Sequence, residues 1–255
     1  MRIDFMTPLP KDPNPAVILT VLRSWTKMAK ANKKHEIKFL FALSTESEAQ
    51  MRPLLAWLIA EKQTLPIPQE LVEKLFPIVA EQWKISRFPE IAFYRNLLLE
   101  QARQDDPDAA VFLDSDVVPP EETPETLSWM EHSGHRSPAV AGIVKTYNND
   151  WQEVLGFGQF RKPFFTGLDW AKELPRTVLT EVDFANTACL ALPRTTFQDS
   201  DTKFLPVMFD ETHYVSEDHA FCHRLRQNGY RILVDTRIKC RHLRETQEGL
   251  RWLTV

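Results

Sequence analysis

A 255-residue chain that is 43% hydrophobic and 26% charged has ample material for one buried α/β core. Its net charge of −4 lacks the basic footprint of a dedicated nucleic-acid binder. Three cysteines without paired spacing argue against a disulfide framework and for a reducing cytoplasm, and no apolar run reaches the roughly 18 residues of a membrane span.

Arg2 to Met6 reads as a first strand, closed by Thr7-Pro8-Leu9-Pro10. Residues 11–15 have turn chemistry. Ile18, Val21, Leu22, Trp25 and Met28 fall at helical spacing, which predicts a helix over 16–31. Residues 36–43 form a second strand and 44–47 a turn. Helices are expected over 48–62 and 68–75; 78–85 is ambiguous and could hold another strand. Residues 88–102 form an amphipathic helix that runs into the charged turn Asp105-Asp106-Pro107-Asp108. Alternating strands and helices through this half predict a mainly parallel sheet covered on both faces. Beyond the centre, a short helix is expected over 124–132 and a strand over 139–145. The aromatic-rich stretch 148–167 follows, then strand-like pieces within 178–192. A helix over 216–228 ends at Gly229, and extended chain covers 230–235 and 237–242.

The stretch that carries the chemistry is Ala109 to Pro120. Its apolar run Ala-Ala-Val-Phe-Leu ends in Asp114-Ser115-Asp116, and Pro119-Pro120 stop it. Ligands collect at the carboxyl ends of strands in open α/β sheets. Two carboxylates there, one residue apart, project to the same side and repel unless a cation sits between them. Mg²⁺ or Mn²⁺ carrying a phosphate resolves that repulsion. The competing reading is an Asp-rich turn.

Ser216-Glu217-Asp218 opens the last long helix, with Ser216 as N-cap and the acids in the first turn. These acids either stabilise the helix start or supply a general base. His242 follows Cys240-Arg241 at a strand exit, where an imidazole can ligate metal. A zinc site from His219, Cys222, His223, Cys240 and His242 lacks paired ligand spacing and is disfavoured. Arg95 and Asn96 offer phosphate and hydroxyl recognition or a solvated helix face. Neither a P-loop nor a dinucleotide-binding glycine pattern is present.

As an ordered set, these blocks resemble glycosyltransferases of the GT-A fold. The pattern is most similar to family 2-like enzymes and the mannosyltransferases of the Golgi mannan-polymerase type. The carriers are Thr7-Pro8, Arg95-Asn96, Asp114-Ser115-Asp116, Ser216-Glu217-Asp218 with Phe221-Cys222, and His242. The resemblance implies a Rossmann-like, mainly parallel sheet flanked by helices in one domain over 1–255. Residues 1–120 would bind the nucleotide sugar, and 121–255 would hold the acceptor and the catalytic group.

By the same resemblance, Asp114-Ser115-Asp116 is a D-x-D motif. Asp116 would bind Mn²⁺ or Mg²⁺ on a UDP- or GDP-sugar, with Asp114 reaching the ribose or sugar or joining the metal. His242 would complete the metal shell. Asp218 would be the catalytic base of an inverting enzyme, with Glu217 as the alternative. Thr7, Pro8, Arg95, Asn96 and Ser115 would line the donor. The chain departs from the pattern at Ser86-Arg87-Phe88-Pro89, where a glycine-rich stretch usually precedes Arg-Asn. It also lacks the Q-x-x-R-W of processive synthases. The expected acceptor is a glycan or another hydroxyl. Other readings are a transferase acting on hydroxylated DNA bases, a nucleotidyltransferase, and a non-catalytic nucleotide-sugar-binding module.

Overall fold

The structure, a computed structural model, describes residues 1–9, 14–42, 87–132, 134–147, 152–160, 168–205, 207–208, 214–246 and 249–255. The helices expected over 48–62 and 68–75, the turn at 44–47 and the ambiguous 78–85 lie outside these residues.

Strand β1 (Arg2–Pro8) leads into helix α1 (Pro15–Ala31), then β2 (Glu36–Ala42). The Asn14 side chain accepts the backbone N–H groups of Ala16 and Val17, and Pro15 starts the helix with φ already set. The predicted apolar stripe of α1 is buried: Trp25 lies flat against Phe39 of β2, ring centres 5.6 Å apart. Helix α2 (Arg87–Asp105) returns to β3 (Ala109–Leu113) and the two-residue β4 (Val117–Val118). The expected helix over 124–132 is a single α-turn, Thr123–Thr126, followed by the tighter 3₁₀ turn Ser128–His132.

The second half supplies β5 (Ala139–Ile143), β6 (Lys145–Tyr147), β7 (Glu153–Leu155), β8 (Phe157–Phe160), β9 (Leu168–Trp170), β10 (Leu179–Val182), β11 (Phe184–Ala185) and β12 (Cys189–Pro193). After β13 (Val207–Met208) and β14 (Tyr214–Val215) comes helix α3 (Glu217–Gln227). It ends at Gly229, whose φ of 83° is open to glycine at little cost. Strands β15 (Ile232–Lys239), β16 (Arg241–Thr246) and β17 (Gly249–Leu253) close the chain.

The central sheet has seven strands in the order β10-β15-β5-β12-β3-β1-β2. Strands β2, β1, β3, β5 and β15 run one way; β12 and β10 run against them. The sheet is therefore mostly parallel, as expected, with its antiparallel members drawn from the second half. Strict alternation divides it into two faces. Ile3, Phe5, Val111 and Leu113 face α1, whereas Met6, Ala110 and Phe112 face α2 and α3. Outside this sheet, β16 pairs with both β17 and β4. That pairing folds the end of the chain back onto the exit of β3.

At the opposite end of β1, Asp4 is buried, and its Oδ2 has no hydrogen-bond partner among the described residues. Lys38 lies across from it on β2 and forms an ion pair with Asp105. Burial pushes the Asp4 carboxyl up to about 7; Lys38 opposes that shift and Asp105 adds to it. An unfolded chain gives up this proton near 3.8. The contribution to stability is therefore complete below that value and is lost as pH rises through 7. Denaturation midpoints followed from about pH 5 to about pH 7.5 should fall for the parent and fall less for Asp4→Asn. Parallel curves for the two proteins would show that Asp4 is not the titrating group.

Candidate functional site

The site forms where β3 ends. Leu113 is the last ladder residue, so Asp114-Ser115-Asp116 do not continue the strand as the alternation argument assumed. They make a turn, closed by the Val117 N–H donating to the Asp114 carbonyl at 3.0 Å. The turn is held from three sides. The Asp114 N–H donates to Ala188 O at 3.1 Å, the Leu243 N–H donates to Asp116 O at 2.7 Å, and the Trp25 indole donates to Val117 O at 2.9 Å.

Pairing of β16 with β4 sets His242 opposite Val117. His242 Nε2 then lies 3.2 Å from Asp116 Oδ2, and Nδ1 lies 2.8 Å from the Lys145 carbonyl. A carbonyl can only accept, so Nδ1 carries a hydrogen and Nε2 faces the carboxylate. Burial alone would lower the His242 pKa, but the Asp116 carboxylate and the Lys145 carbonyl raise it. Arg244, two residues along on the same strand face, places Nη1 3.9 Å from Asp116 Oδ2.

Arg95 joins this turn to α3. On α2 it shares a stripe with Ala92, Leu99 and Ala102, and this core-facing position buries it to 4% exposure. Its Nη2 donates to Asp114 Oδ1 at 3.1 Å and its Nη1 to Glu217 Oε1 at 2.5 Å. The guanidinium lies over the Phe204 ring, 5.5 Å from its centre, and Phe204 stacks on Phe221 of α3 at 4.0 Å. Asn96 holds Phe204 in place: Nδ2 donates to Phe204 O and Oδ1 accepts from Phe204 N, each at 2.7 Å. Its amide is thus engaged with the backbone, and Arg95 is engaged with two carboxylates. The structure gives both residues supporting contacts where the sequence suggested contact with the donor.

Glu217 is buried, and its Oε2 has no partner among the described residues. Asp218 is more accessible, with 17% of its side chain exposed. Burial would raise the Asp218 pKa, yet the Ser216 hydroxyl, Arg95 and the His219 backbone N–H hold it below the ordinary carboxylate range. Asp114 goes the other way: burial raises it, Arg95 opposes, and Asp116 adds to the rise. One electrostatic chain therefore runs from His242 and Asp116 through Asp114 and Arg95 to Glu217 and Asp218.

Thr7 is fully buried near the end of β1, its hydroxyl without a partner among the described residues, and Pro8 closes the strand. Trp151, Phe164 and Phe165 of the aromatic stretch lie outside the described residues, while Phe157 and Phe160 are core. The disfavoured zinc grouping is dispersed. The Cys222 thiol donates to Ala185 O at 3.1 Å, and burial pushes it up to about 12; Cys240 sits beside Cys189 instead.

Imidazole nitrogen and carboxylate oxygen suit a divalent first-row cation. The Nε2–Oδ2 spacing of 3.2 Å is close to that of neighbouring ligands on an ion with bonds of about 2.2 Å. Among the described residues no group of three His, Cys, Asp or Glu side chains is gathered for a metal. A pair leaves positions for phosphate oxygens and water, the usual pattern for a cation that carries a nucleotide. The residues fit such an ion as a two-ligand site, with Asp114 committed to Arg95.

Sequence reasoning missed Arg244, the Lys145 carbonyl and Phe204. The His242-x-Arg244 spacing on an extended segment was the available signal for Arg244. The other two depend on contacts between segments far apart in the chain.

No family model and no curated protein sequence matches the chain. Among solved structures, GalNAc-T7 with UDP, GalNAc and Mn²⁺ superposes with a TM-score of 0.55 at 11% identity, over 96% of this chain and 44% of that one. A197 from STIV gives 0.52 at 16% identity, over 100% of this chain and 94% of that one. The 1–349 portion of S. aureus TarS gives 0.48 at 17% identity, over 92% and 58%. At such identities the likeness concerns the fold alone: the chain has a GT-A-like fold.

Replacing Arg95 by Met leaves buried Glu217 and partly exposed Asp114 without their shared cation. Urea denaturation should show a loss of about 3–5 kcal/mol, and adding Glu217→Met should return part of it. An Arg95→Met variant as stable as the parent would contradict the bridging geometry.

Proposed function

We propose that the protein is a metal-dependent, inverting glycosyltransferase that moves a sugar from a UDP- or GDP-sugar to an acceptor hydroxyl. The observation that carries this reading is the Asp116–His242 pair, 3.2 Å apart at the exit of the central strand. The GT-A-like fold supports it, since ligands of open α/β sheets collect at this end. The finer likeness to family 2-like enzymes and mannan-polymerase mannosyltransferases rests on motif order alone.

Asp116 and His242 would hold Mn²⁺ or Mg²⁺, which supplies Lewis-acid charge to the leaving diphosphate when bound. His242 is oriented for this by its Nδ1–H bond to Lys145. Arg244 adds a fixed positive charge beside Asp116 and would take a phosphate oxygen. Arg95 neutralises Asp114 and Glu217, which keeps the buried floor of the site from repelling the diphosphate. Asp218, ionised and partly accessible, would accept the proton of the acceptor hydroxyl as that oxygen attacks the anomeric carbon. Glu217, buried and bound to Arg95, is placed less well for that task. The acceptor is a glycan or another hydroxyl compound; nucleic acid is the less favoured class at a net charge of −4.

A thermal-shift screen of UDP- and GDP-sugars with and without Mn²⁺ tests the donor, because a ligand of the folded state raises its melting point. Asp116→Ala and Asp218→Ala should each lower transfer by about a thousandfold or more while the fold persists. Parental turnover in either variant would reject the assignment. Arg244→Ala should weaken the nucleoside diphosphate about tenfold and leave the nucleoside unaffected. Release of pyrophosphate instead of a nucleoside diphosphate would favour a nucleotidyltransferase.

A further inference from the structure

Ser216, Asp218 and His219 form a closed hydrogen-bonded ring at the first turn of α3. Ser216 occupies the N-cap position, but its side chain accepts no backbone N–H of the turn. Its hydroxyl donates to Asp218 Oδ1, and its Oγ lies 2.6 Å from His219 Nδ1. With the hydroxyl hydrogen committed to the carboxylate, Oγ can only accept from the ring. His219 therefore carries its hydrogen on Nδ1. Nε2 is buried without a partner among the described residues. Burial lowers the His219 pKa and outweighs the opposing pull of Asp218.

Asp218 Oδ1 also accepts the His219 backbone N–H at 2.8 Å. Two donors thus converge on one oxygen, Oδ1. The ring that completes this arrangement is itself wedged in place. His219 meets Phe184 edge to face at 4.7 Å and Trp170 at 5.3 Å. Rotation of the Asp218 carboxylate would break two bonds to Oδ1, one of them from a hydroxyl held by a ring packed among aromatics.

We propose that Ser216 and His219 are positioning residues that pin Asp218 Oδ1 inward and present Oδ2 to the acceptor hydroxyl. This rests on the reading of Asp218 as the base. In the step it serves, the acceptor O–H proton moves to Oδ2 as the acceptor oxygen bonds to the anomeric carbon. The bond from that carbon to the diphosphate oxygen breaks, and its electron pair leaves with the nucleoside diphosphate. His219 takes no proton. The other titratable and charged groups that act on Asp218 are Arg95 from α2 and Glu217 and Cys222 from α3. All three are unchanged by substitution at 216 or 219.

The test compares kcat/KM against pH for the full-length parent, Ser216→Ala, Ser216→Thr, His219→Phe and His219→Asn. Loss of the Ser216 donor to Oδ1 raises the Asp218 pKa, so the acid limb should move up by about one pH unit in Ser216→Ala, with kcat down about tenfold to a hundredfold; His219→Phe keeps the backbone N–H to Oδ1 but frees the Ser216 hydroxyl to turn, so it should move the limb the same way and less. Ser216→Thr keeps the hydroxyl, and His219→Asn keeps an N–H near the Nδ1 position; both should recover most of the parental profile. The donor KM should not move. Ser216→Ala with the parental acid limb would overturn the proposal.

Nitrogen-15 spectra of the histidine rings supply a readout independent of turnover. They should show His219 as the neutral Nδ1–H tautomer from about pH 6 to about pH 8, and a changed ring signal in Ser216→Ala. An Nε2–H tautomer, or protonation at the ordinary histidine pH, would overturn the network while leaving the base assignment standing. Full transfer by Asp218→Ala would remove the base assignment, and the proposal with it, whatever the ring shows.

Discussion

Arg95 carries a positive charge into a place that excludes water, and the charge is neutralised there by carboxylates from two distant segments. Its fork spans Asp114 at 3.1 Å and Glu217 at 2.5 Å, with the Phe204 ring beneath it. Removal of Arg95 leaves both carboxylates without their shared cation, Glu217 in a buried place, which costs far more than a surface pair contributes. The bridge therefore fixes how the exit of β3 sits against the start of α3. Both carboxylates of the proposed chemistry, Asp116 and Asp218, are neighbours in sequence of the two that Arg95 holds. The guanidinium positions the reactive groups without needing to touch substrate.

The remaining side of the site is closed by the end of the chain. Pairing of β16 with β4 brings His242 and Arg244 to Asp116, and the Lys145 carbonyl sets the His242 tautomer. Arg95 is shared between Asp114 and buried Glu217, whereas Asp116, exposed to a similar degree as Asp114, has an imidazole and an arginine nearby. Asp218 lies at the far end of this electrostatic chain, its Oδ1 tied to Ser216 and the His219 backbone.

Much of this was legible in the sequence. Helix α1 showed its 3.6-residue stripe, β3 its short apolar run, and α3 its acidic first turn and terminal glycine, because each is decided by local residues. Antiparallel β12 and β10 were not foreseen, since strand direction depends on long-range pairing. Arg95 and Asn96 read as donor contacts or a solvated helix face, and the structure adds contacts to Asp114, Glu217 and the Phe204 backbone that the sequence did not show. The spacing of Ala92, Arg95, Leu99 and Ala102 did place Arg95 on the core-facing stripe, but a buried arginine is rare enough that its type pointed outward. Ser216 took the expected cap position yet spends its hydroxyl on Asp218, a choice visible only once His219 is seen behind it.

An anomalous difference map from crystals grown with Mn²⁺ and a nucleoside diphosphate tests the central claim most directly. A manganese peak within about 2.3 Å of both Asp116 Oδ2 and His242 Nε2, with diphosphate oxygens completing its shell, is the predicted result. A nucleotide bound away from Asp116, or a metal peak with neither of those ligands, would contradict it.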